Sequence, residues 1–235
     1  MITSIHNEHL KRIRKLARRR GRERADAFVA EGEDLLAAAD AAGWEPAERY
    51  VAAGSGLEGV EVEPEVLAKV SALGSGTRAL AVYEERWAAP AGPLCLHLHG
   101  VGDPGNVGAA LRAALAFGAA SVALGPGCAD PFGPRAVRAS MGSIFAVPVA
   151  GVDGPDGLPG ERVALVPRAG DPLRGPASAE TTLVVGAERD GLPPAVVAAC
   201  DRTAHIPIGR ADSLNTAMAA TVALYELTRN RMADS

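Results

Sequence analysis

The stretch Leu94–Ala119, LCLHLHGVGDPGNVGAALRAALAFGA, decides how the chain is read. The apolar run Leu94–Leu98 predicts a short buried strand, and Ala- and Leu-rich Asn106–Phe117 predicts a helix. Between them Gly100, Gly102 and Gly105 predict a tight turn. A strand that passes through a Gly-rich turn into a helix aims backbone N–H groups and the helix N-terminus at whatever lies above the turn. The spacing is neither GxGxxG nor GxxxxGK[ST], so a plain strand-to-helix turn capped by Asn106 accounts for it equally well. Arg112 stands among Ala and Leu on the helix, which sends its charge into a cleft or to solvent.

Further strands are expected at Ser121–Leu124, Phe145–Val149, Arg162–Val166 and Thr182–Val185. A short helix is expected at Arg135–Ala139 and a long closing helix at Ser213–Arg229. Strands alternating with helices predict an α/β fold, a parallel sheet flanked by helices. GVDGPDGLPGE, residues 151–161, reads as a polar loop. Toward the N-terminus, AAPAGP at residues 88–93 reads as a linker. It separates residues 93–235, expected to fold alone, from a small α/β unit at residues 1–86. That unit carries expected helices at 5–20, Glu33–Ala42 and Pro64–Ser71, and strands at Arg49–Ala53 and Ala79–Tyr83.

The net charge of −4 excludes a uniformly basic nucleic-acid binder. Yet Lys11, Arg12, Arg14, Lys15, Arg18, Arg19, Arg20, Arg22 and Arg24 crowd one segment in which Glu23 is the only acid. Aromatic residues make up 4% of the chain, so the core is expected to rest on Ala, Val and Leu. Cys95, Cys128 and Cys200 lie far apart, which argues against a disulfide framework or a structural zinc site. No apolar run is long enough to span a membrane, and a cytoplasmic location is the expectation. His97-x-His99 puts two imidazoles on one strand face without a third ligand, so no metal is expected. His205 is read as structural.

Two later segments carry chemistry. LVVGAERDGL, Leu183–Leu192, ends a buried strand at Gly186 and presents Glu188 where open α/β sheets bind ligands. HIPIGRADSLNTAMAATVALYEL, His205–Leu227, runs from Ile206-Pro207 through a polar loop to Ser213-Leu214-Asn215 and the last helix. Ser213 suits an N-cap, whereas Asn215 is a poor residue for a helix interior.

In order and spacing these segments resemble the three motifs of the SpoU/TrmH-type RNA ribose 2′-O-methyltransferases of the SPOUT superfamily. Asp103-Pro104 through Arg112 is similar to the first, Gly186 to Leu192 to the second, and Ile206 to Asn215 to the third. RAVRASMGSIFAVPV, Arg135–Val149, resembles the connecting segment. ITSIHNEHLKRIRKL and FVAEGEDLL resemble the small substrate-binding domain of many members. The chain has Gly74-Ser75-Gly76-Thr77-Arg78 where members often have a TPQG-like sequence.

The resemblance implies a trefoil knot near the C-terminus, S-adenosylmethionine held bent among the knotted loops, and an active site completed by two subunits. It implies that Gly186, Ile206 and Leu214 line the cofactor pocket. Asn106, Arg112, Glu188, Ser213 and Asn215 then surround the acceptor ribose. Lys11, Arg12, Arg14, Lys15, Arg18 and Arg19 become candidate contacts to RNA phosphates. The implied reaction is methyl transfer to a ribose 2′-hydroxyl, with ribosomal RNA ahead of transfer RNA as substrate and no metal.

Such a transfer is an in-line displacement, governed by positioning. Neutralising a guanidinium at pH 7 costs roughly 7–9 kcal/mol. Arg112 is therefore read as a charged clamp on phosphate rather than a base. The proton goes to a phosphate oxygen or water, with Glu188 as an alternative base or an orienting residue. A member that only holds RNA, or a small-molecule enzyme on the same scaffold, are the competing readings. The first is disfavoured by Asn106, Arg112, Glu188 and Asn215, and the second gives the basic segment no use.

Overall fold

Two helices, not one, open the chain in the computed structural model, which describes residues 1–229 except Leu73, Ser75, Ser178 and Ala211. Helix α1 (Glu8–Leu16) buries Leu10, Ile13 and Leu16, and Asn7 caps it by accepting from the His9 N–H. The apolar stripe ends at Leu16, and Arg18 turns extended (φ −102°, ψ 138°) before α2 (Arg19–Ala25). The single helix expected over 5–20 is thus broken where its core-facing side runs out.

The unit continues through β1 (Ala27–Glu31), α3 (Glu33–Ala41), β2 (Glu48–Ala52), β3 (Val60–Val62), α4 (Pro64–Val70) and β4 (Ala79–Glu84). The sheet order is β1-β4-β2-β3, with β4 antiparallel to both neighbours and β2 parallel to β3. β1 has no alternation to betray it, because all five of its residues are buried.

The second sheet draws on β5 (Leu94–Leu98), α5 (Pro104–Ala116), β6 (Ser121–Leu124), α6 (Pro134–Ser140), β7 (Val149–Gly151), β8 (Glu161–Leu165) and β9 (Asp171–Pro172). It is completed by β10 (Thr181–Val185), α7 (Pro194–Ala198), β11 (Arg202–His205) and α8 (Thr216–Thr228). Seven parallel strands lie in the order β7-β6-β5-β10-β8-β11-β9. Leu94, Leu96 and Leu98 face the main core with residues of α5, α6 and α8. Gly108 lets α5 and α6 meet closely, because a Cβ there would stand 2.4 Å from the Ala136 carbonyl oxygen.

Three local expectations are corrected. Phe145–Val149 is not a strand: Ser143–Phe145 forms a 3-10 turn that buries Ile144 and Phe145, and pairing begins only at Val149. Asp103, not Asn106, caps α5, its carboxylate accepting from the Asn106 N–H at 3.0 Å. Asn215, not Ser213, caps α8, accepting from Ala217 and Met218 at 3.0 and 3.2 Å. A short polar side chain at the first helical boundary satisfies orphan N–H groups, which explains the Asn that looked misplaced within a helix.

Five of the nine aromatic residues gather where the sheets meet: Phe28, Trp44, Tyr83, Phe132 and Phe145. Phe28 lies 4.9 Å from Phe132 and Tyr83 lies 5.1 Å from Phe145, ring to ring. The Trp44 indole N–H donates to the Phe145 carbonyl at 2.8 Å. The seam is core rather than linker-separated surface, so the expectation that residues 93–235 fold alone meets a shared aromatic layer. Few aromatics did not mean an aliphatic core throughout.

His97 projects to the other face of β5 and is fully buried, with neither ring nitrogen hydrogen-bonded. The Ala123 backbone, Gly125 and the His99 ring lie against it, none of them within hydrogen-bond geometry. Burial, helped by His99, pushes its pKa down from 6.5 to about 4. The folded chain therefore refuses a proton that the unfolded chain accepts. Above pH 6.5 stability is unaffected; from there down to about pH 4 it should fall by about 1.4 kcal/mol per pH unit. Melting curves between pH 7.5 and 4.5 check this, and His97→Leu should flatten the decline.

Candidate active site

β5 and β10 are parallel neighbours whose ends are level: Leu98 stands opposite Val185, and the His99 N–H donates to the Val185 carbonyl at 2.9 Å. The turns that follow therefore leave the sheet side by side, at its carboxyl edge. The first carries Asn106, the second Glu188. The Asn106 side-chain amide donates to a Glu188 carboxylate oxygen. The Asn215 amide donates to the Asn106 oxygen at 3.1 Å. Residues from all three sequence segments thus meet in one chain of hydrogen bonds.

The second turn is tight. Ala187 and Gly191 exchange backbone hydrogen bonds at 3.2 and 3.1 Å, lifting Glu188 to the tip. Gly186 is obligatory for close approach, because a Cβ there would lie 2.3 Å from the Gly191 carbonyl carbon. Buried Thr216, the first residue of α8, donates its hydroxyl to the Gly186 carbonyl at 3.0 Å. The last helix is thereby tied to the turn.

Beside this network opens a cleft of about 300 Å³. Leu165, Val185, Ile206, Ile208 and Leu214 give it apolar walls, and Gly186 to Leu192 form its rim. All three expected cofactor contacts, Gly186, Ile206 and Leu214, line it, as do Glu188 and Ser213. An apolar cleft with backbone and a few polar groups at its edge suits a nucleoside cofactor such as S-adenosylmethionine. Sequence reasoning missed the wall at Leu165-Val166-Pro167, although a strand ending at a carboxyl edge marked it. It also missed Thr216 and the exposed Arg168–Asp212 ion pair, 3.0 Å, between the loops that hold Pro167 and Ser213.

Other expected residues stand outside the hydrogen-bond chain. Arg112 is exposed on α5 and has no partner among the described residues. Ser213 is exposed at the cleft. Of the basic candidates, Lys11 pairs with Glu8 (2.7 Å), Arg12 with Glu48 (2.5 Å) and Arg19 with Glu23 (2.9 Å). Arg14, Lys15 and Arg18 are exposed and make no ion pair among the described residues. Burial, with a smaller contribution from the Glu188 charge, pushes the Cys128 thiol up and keeps it protonated. No group of three His, Cys, Asp or Glu side chains among the described residues is arranged to hold a metal ion.

Residues 93–225 match the SpoU rRNA Methylase family, and residues 7–81 match the MRM3-like substrate binding domain. The chain belongs to the SpoU family of RNA ribose 2′-O-methyltransferases. A 23S rRNA (uridine(2479)-2′-O)-methyltransferase of Streptomyces viridochromogenes is 37% identical over 55% of this chain and 50% of its own length. The match thus spans half of that relative. An uncharacterized tRNA/rRNA methyltransferase of Synechocystis is 31% identical over the whole chain and 95% of its own length. An AdoMet-bound rRNA methyltransferase of Sinorhizobium meliloti superposes with a TM-score of 0.86 at 30% identity, covering 97% of both chains. The SpoU methyltransferase AviRb with AdoMet superposes at 0.85, with 27% identity over 97% of this chain and 99% of that one.

Asn106→Ala should leave both neighbours exposed to solvent and therefore cost under about 1 kcal/mol of stability. Methyl transfer should drop a hundredfold or more, since Glu188 and Asn215 lose the group that aligns them. Thermal melts beside single-turnover rates check the two halves of this expectation.

Proposed function

We propose that this chain transfers the methyl group of S-adenosylmethionine to a ribose 2′-hydroxyl of ribosomal RNA. The observation that carries the reading is the Asn106–Glu188–Asn215 hydrogen-bond chain at the rim of the Gly186 cleft. When bound, S-adenosylmethionine supplies a methyl carbon already activated by its sulfonium. Gly186, Ile206 and Leu214 hold it, with Ile208 and Leu165 completing apolar cover. Asn106, Asn215 and Ser213 orient the acceptor ribose, and Glu188 accepts a hydrogen bond from its hydroxyl. The Thr216–Gly186 bond ties the start of α8 to the Gly186 turn, which is where the trefoil knot of this reading would be fastened.

We read residues 1–86 as the RNA-binding unit and residues 93–235 as the methyltransferase. Arg14, Lys15 and Arg18, free of ion pairs, serve as its phosphate contacts, while Lys11, Arg12 and Arg19 must first leave their carboxylates. No helix among the described residues is long and apolar enough to cross a membrane. A cytoplasmic location is part of the proposal, since ribosomal RNA is found there.

The working unit is a homodimer. Met218, Val222 and Tyr225 line one face of α8 at i, i+4 and i+7, and all are exposed large apolar side chains. Leu115 of α5 is exposed as well, and Arg112 lies one turn before it. Arg112 is six residues beyond Asn106, about 9 Å along the helix and roughly 120° around it. It therefore points away from its own network and toward the face that a second copy would cover. There it would grip an RNA phosphate at the partner's site and stabilise charge that develops only during transfer.

Mapping 2′-O-methylation across ribosomal RNA with and without the protein tests the function; an unchanged map overturns it. Arg112→Ala should reduce single-turnover methylation at least a hundredfold while calorimetric S-adenosylmethionine binding holds. Arg112→Lys should recover little, lacking the planar fork. Light scattering should give a mass near twice 24.0 kDa. Val222→Asp together with Tyr225→Asp should return monomers with little activity.

A further inference from the structure

One arginine of the basic segment does not face solvent. Arg22 of α2 is 4% exposed. Its Nε and Nη2 donate to one Asp130 carboxylate oxygen at 2.9 and 2.5 Å, and its Nη1 donates to the Leu16 carbonyl at 2.8 Å. The other Asp130 oxygen accepts from the Phe132 N–H at 2.9 Å. The guanidinium thus joins α1, α2 and the loop between β6 and α6.

That loop touches the root of the Asn106 turn. The Ala129 N–H donates to the Val101 carbonyl at 2.8 Å, and the Gly100 N–H donates to the Pro126 carbonyl at 3.0 Å. Two residues after Val101, Asp103 caps the helix that begins with Pro104 and carries Asn106. A continuous set of contacts therefore runs from the RNA-facing helix through Arg22, Asp130 and Ala129 to Val101, and along the chain to Asn106. Such a contact path is a physical route for coupling, provided that breaking one link shifts the far end.

We propose that Arg22 is a positioning residue for methyl transfer: through Asp130 it holds the β6–α6 loop, and with it the Asn106 turn, in the geometry the reaction needs. A buried ion pair of this kind contributes little stability that apolar packing could not match, whereas its directed fork fixes geometry. A shift of about 1 Å at a distance from the reacting atoms can cost up to a hundredfold in rate. The inference rests on the reading of Asn106 as part of the acceptor site.

The test uses the full chain with Arg22→Lys, Arg22→Gln, Asp130→Asn and the double variant Arg22→Gln/Asp130→Asn. Single-turnover methylation of 23S rRNA from cells lacking the protein is measured well below the melting temperature, with RNA and S-adenosylmethionine saturating. RNA affinity across a salt series and cofactor affinity by calorimetry are measured beside it. The expected result is a rate about tenfold lower in each single variant, unchanged affinities and salt slope, and a double variant no worse than either single. A weaker RNA affinity with a salt slope reduced by about one would make Arg22 a phosphate contact and overturn the proposal. So would unchanged rates with only a lower melting temperature, or single losses that multiply. If Arg22→Gln fails to fold, Arg22→Lys and Asp130→Asn carry the same readings. Asn106→Ala is the reference: normal rates there overturn the functional reading itself, whereas loss there with normal Arg22 variants overturns only this proposal.

Discussion

The level pairing of β5 with β10 is the constraint on which the site depends. These strands are separated by more than eighty residues of chain, yet their parallel register places Leu98 opposite Val185. Parallel strands need long crossovers, and here the crossover holds further strands and helices of its own. Slipping the pair by one residue would exchange the faces of His97 and Leu98 and carry the Asn106 turn away from Glu188. The Gly186 contact and the Thr216 bond then fix what the register has brought near. Site and sheet are one solution: the backbone order decides which turns meet, and short side chains bind them.

A second dependence lies at the seam. Phe28, Trp44, Tyr83, Phe132 and Phe145 are shared between the sheets, and each buried ring contributes on the order of 2 kcal/mol. That layer is mostly apolar, its Trp44–Phe145 hydrogen bond apart, whereas the Arg22–Asp130 pair beside it is charged and directional. Aromatic burial can hold two units together without fixing their angle to a fraction of an ångström. A guanidinium bonded to a carboxylate and a carbonyl at once does fix it. Cohesion therefore comes from the rings, and orientation from directional contacts across the seam: the Arg22–Asp130 pair, the Arg138–Asp34 pair and the Trp44–Phe145 hydrogen bond.

What was legible in the sequence followed from period and punctuation. Leu94–Leu98 and Ser121–Leu124 were readable to the residue because apolar runs are bounded there by Gly, Pro or a polar residue. The α/β class followed from alternation, and the three glycine- or asparagine-bearing segments meet in one chain of hydrogen bonds, two of them also lining the cleft beside it. The misses have physical reasons. β1 and the fully apolar Ile144–Phe145 stretch lack a period, so a strand and a packed turn look alike there. The helix break at Arg18 depends on tertiary packing, which propensity does not contain. Arg22 was indistinguishable from its exposed neighbours, since only the fold places Asp130 against it. The same limit applies to Asn106, whose amide bonds could not be foreseen as partners 82 and 109 residues away.

The hydrogen-bond chain also bears on where the 2′-hydroxyl proton goes. Glu188 sits on an exposed turn, where a free carboxylate would sample many rotamers. The Asn106 amide engages one of its oxygens, and the tight Ala187–Gly191 turn limits the backbone beneath it. The second oxygen is therefore presented in a restricted direction, and its orientation is prearranged before RNA arrives. As methyl transfer proceeds, the hydroxyl oxygen gives an electron pair to the methyl carbon, sulfur keeps the pair of the broken C–S bond, and the oxygen must shed its proton as the new bond forms. Until then an anchored carboxylate beside that oxygen is repulsive unless a proton lies between them. A bystander carboxylate in this place would raise the barrier, whereas one that accepts the hydroxyl's hydrogen bond lowers it. In the proposed reaction Glu188 therefore serves best as anchor and proton-side acceptor together.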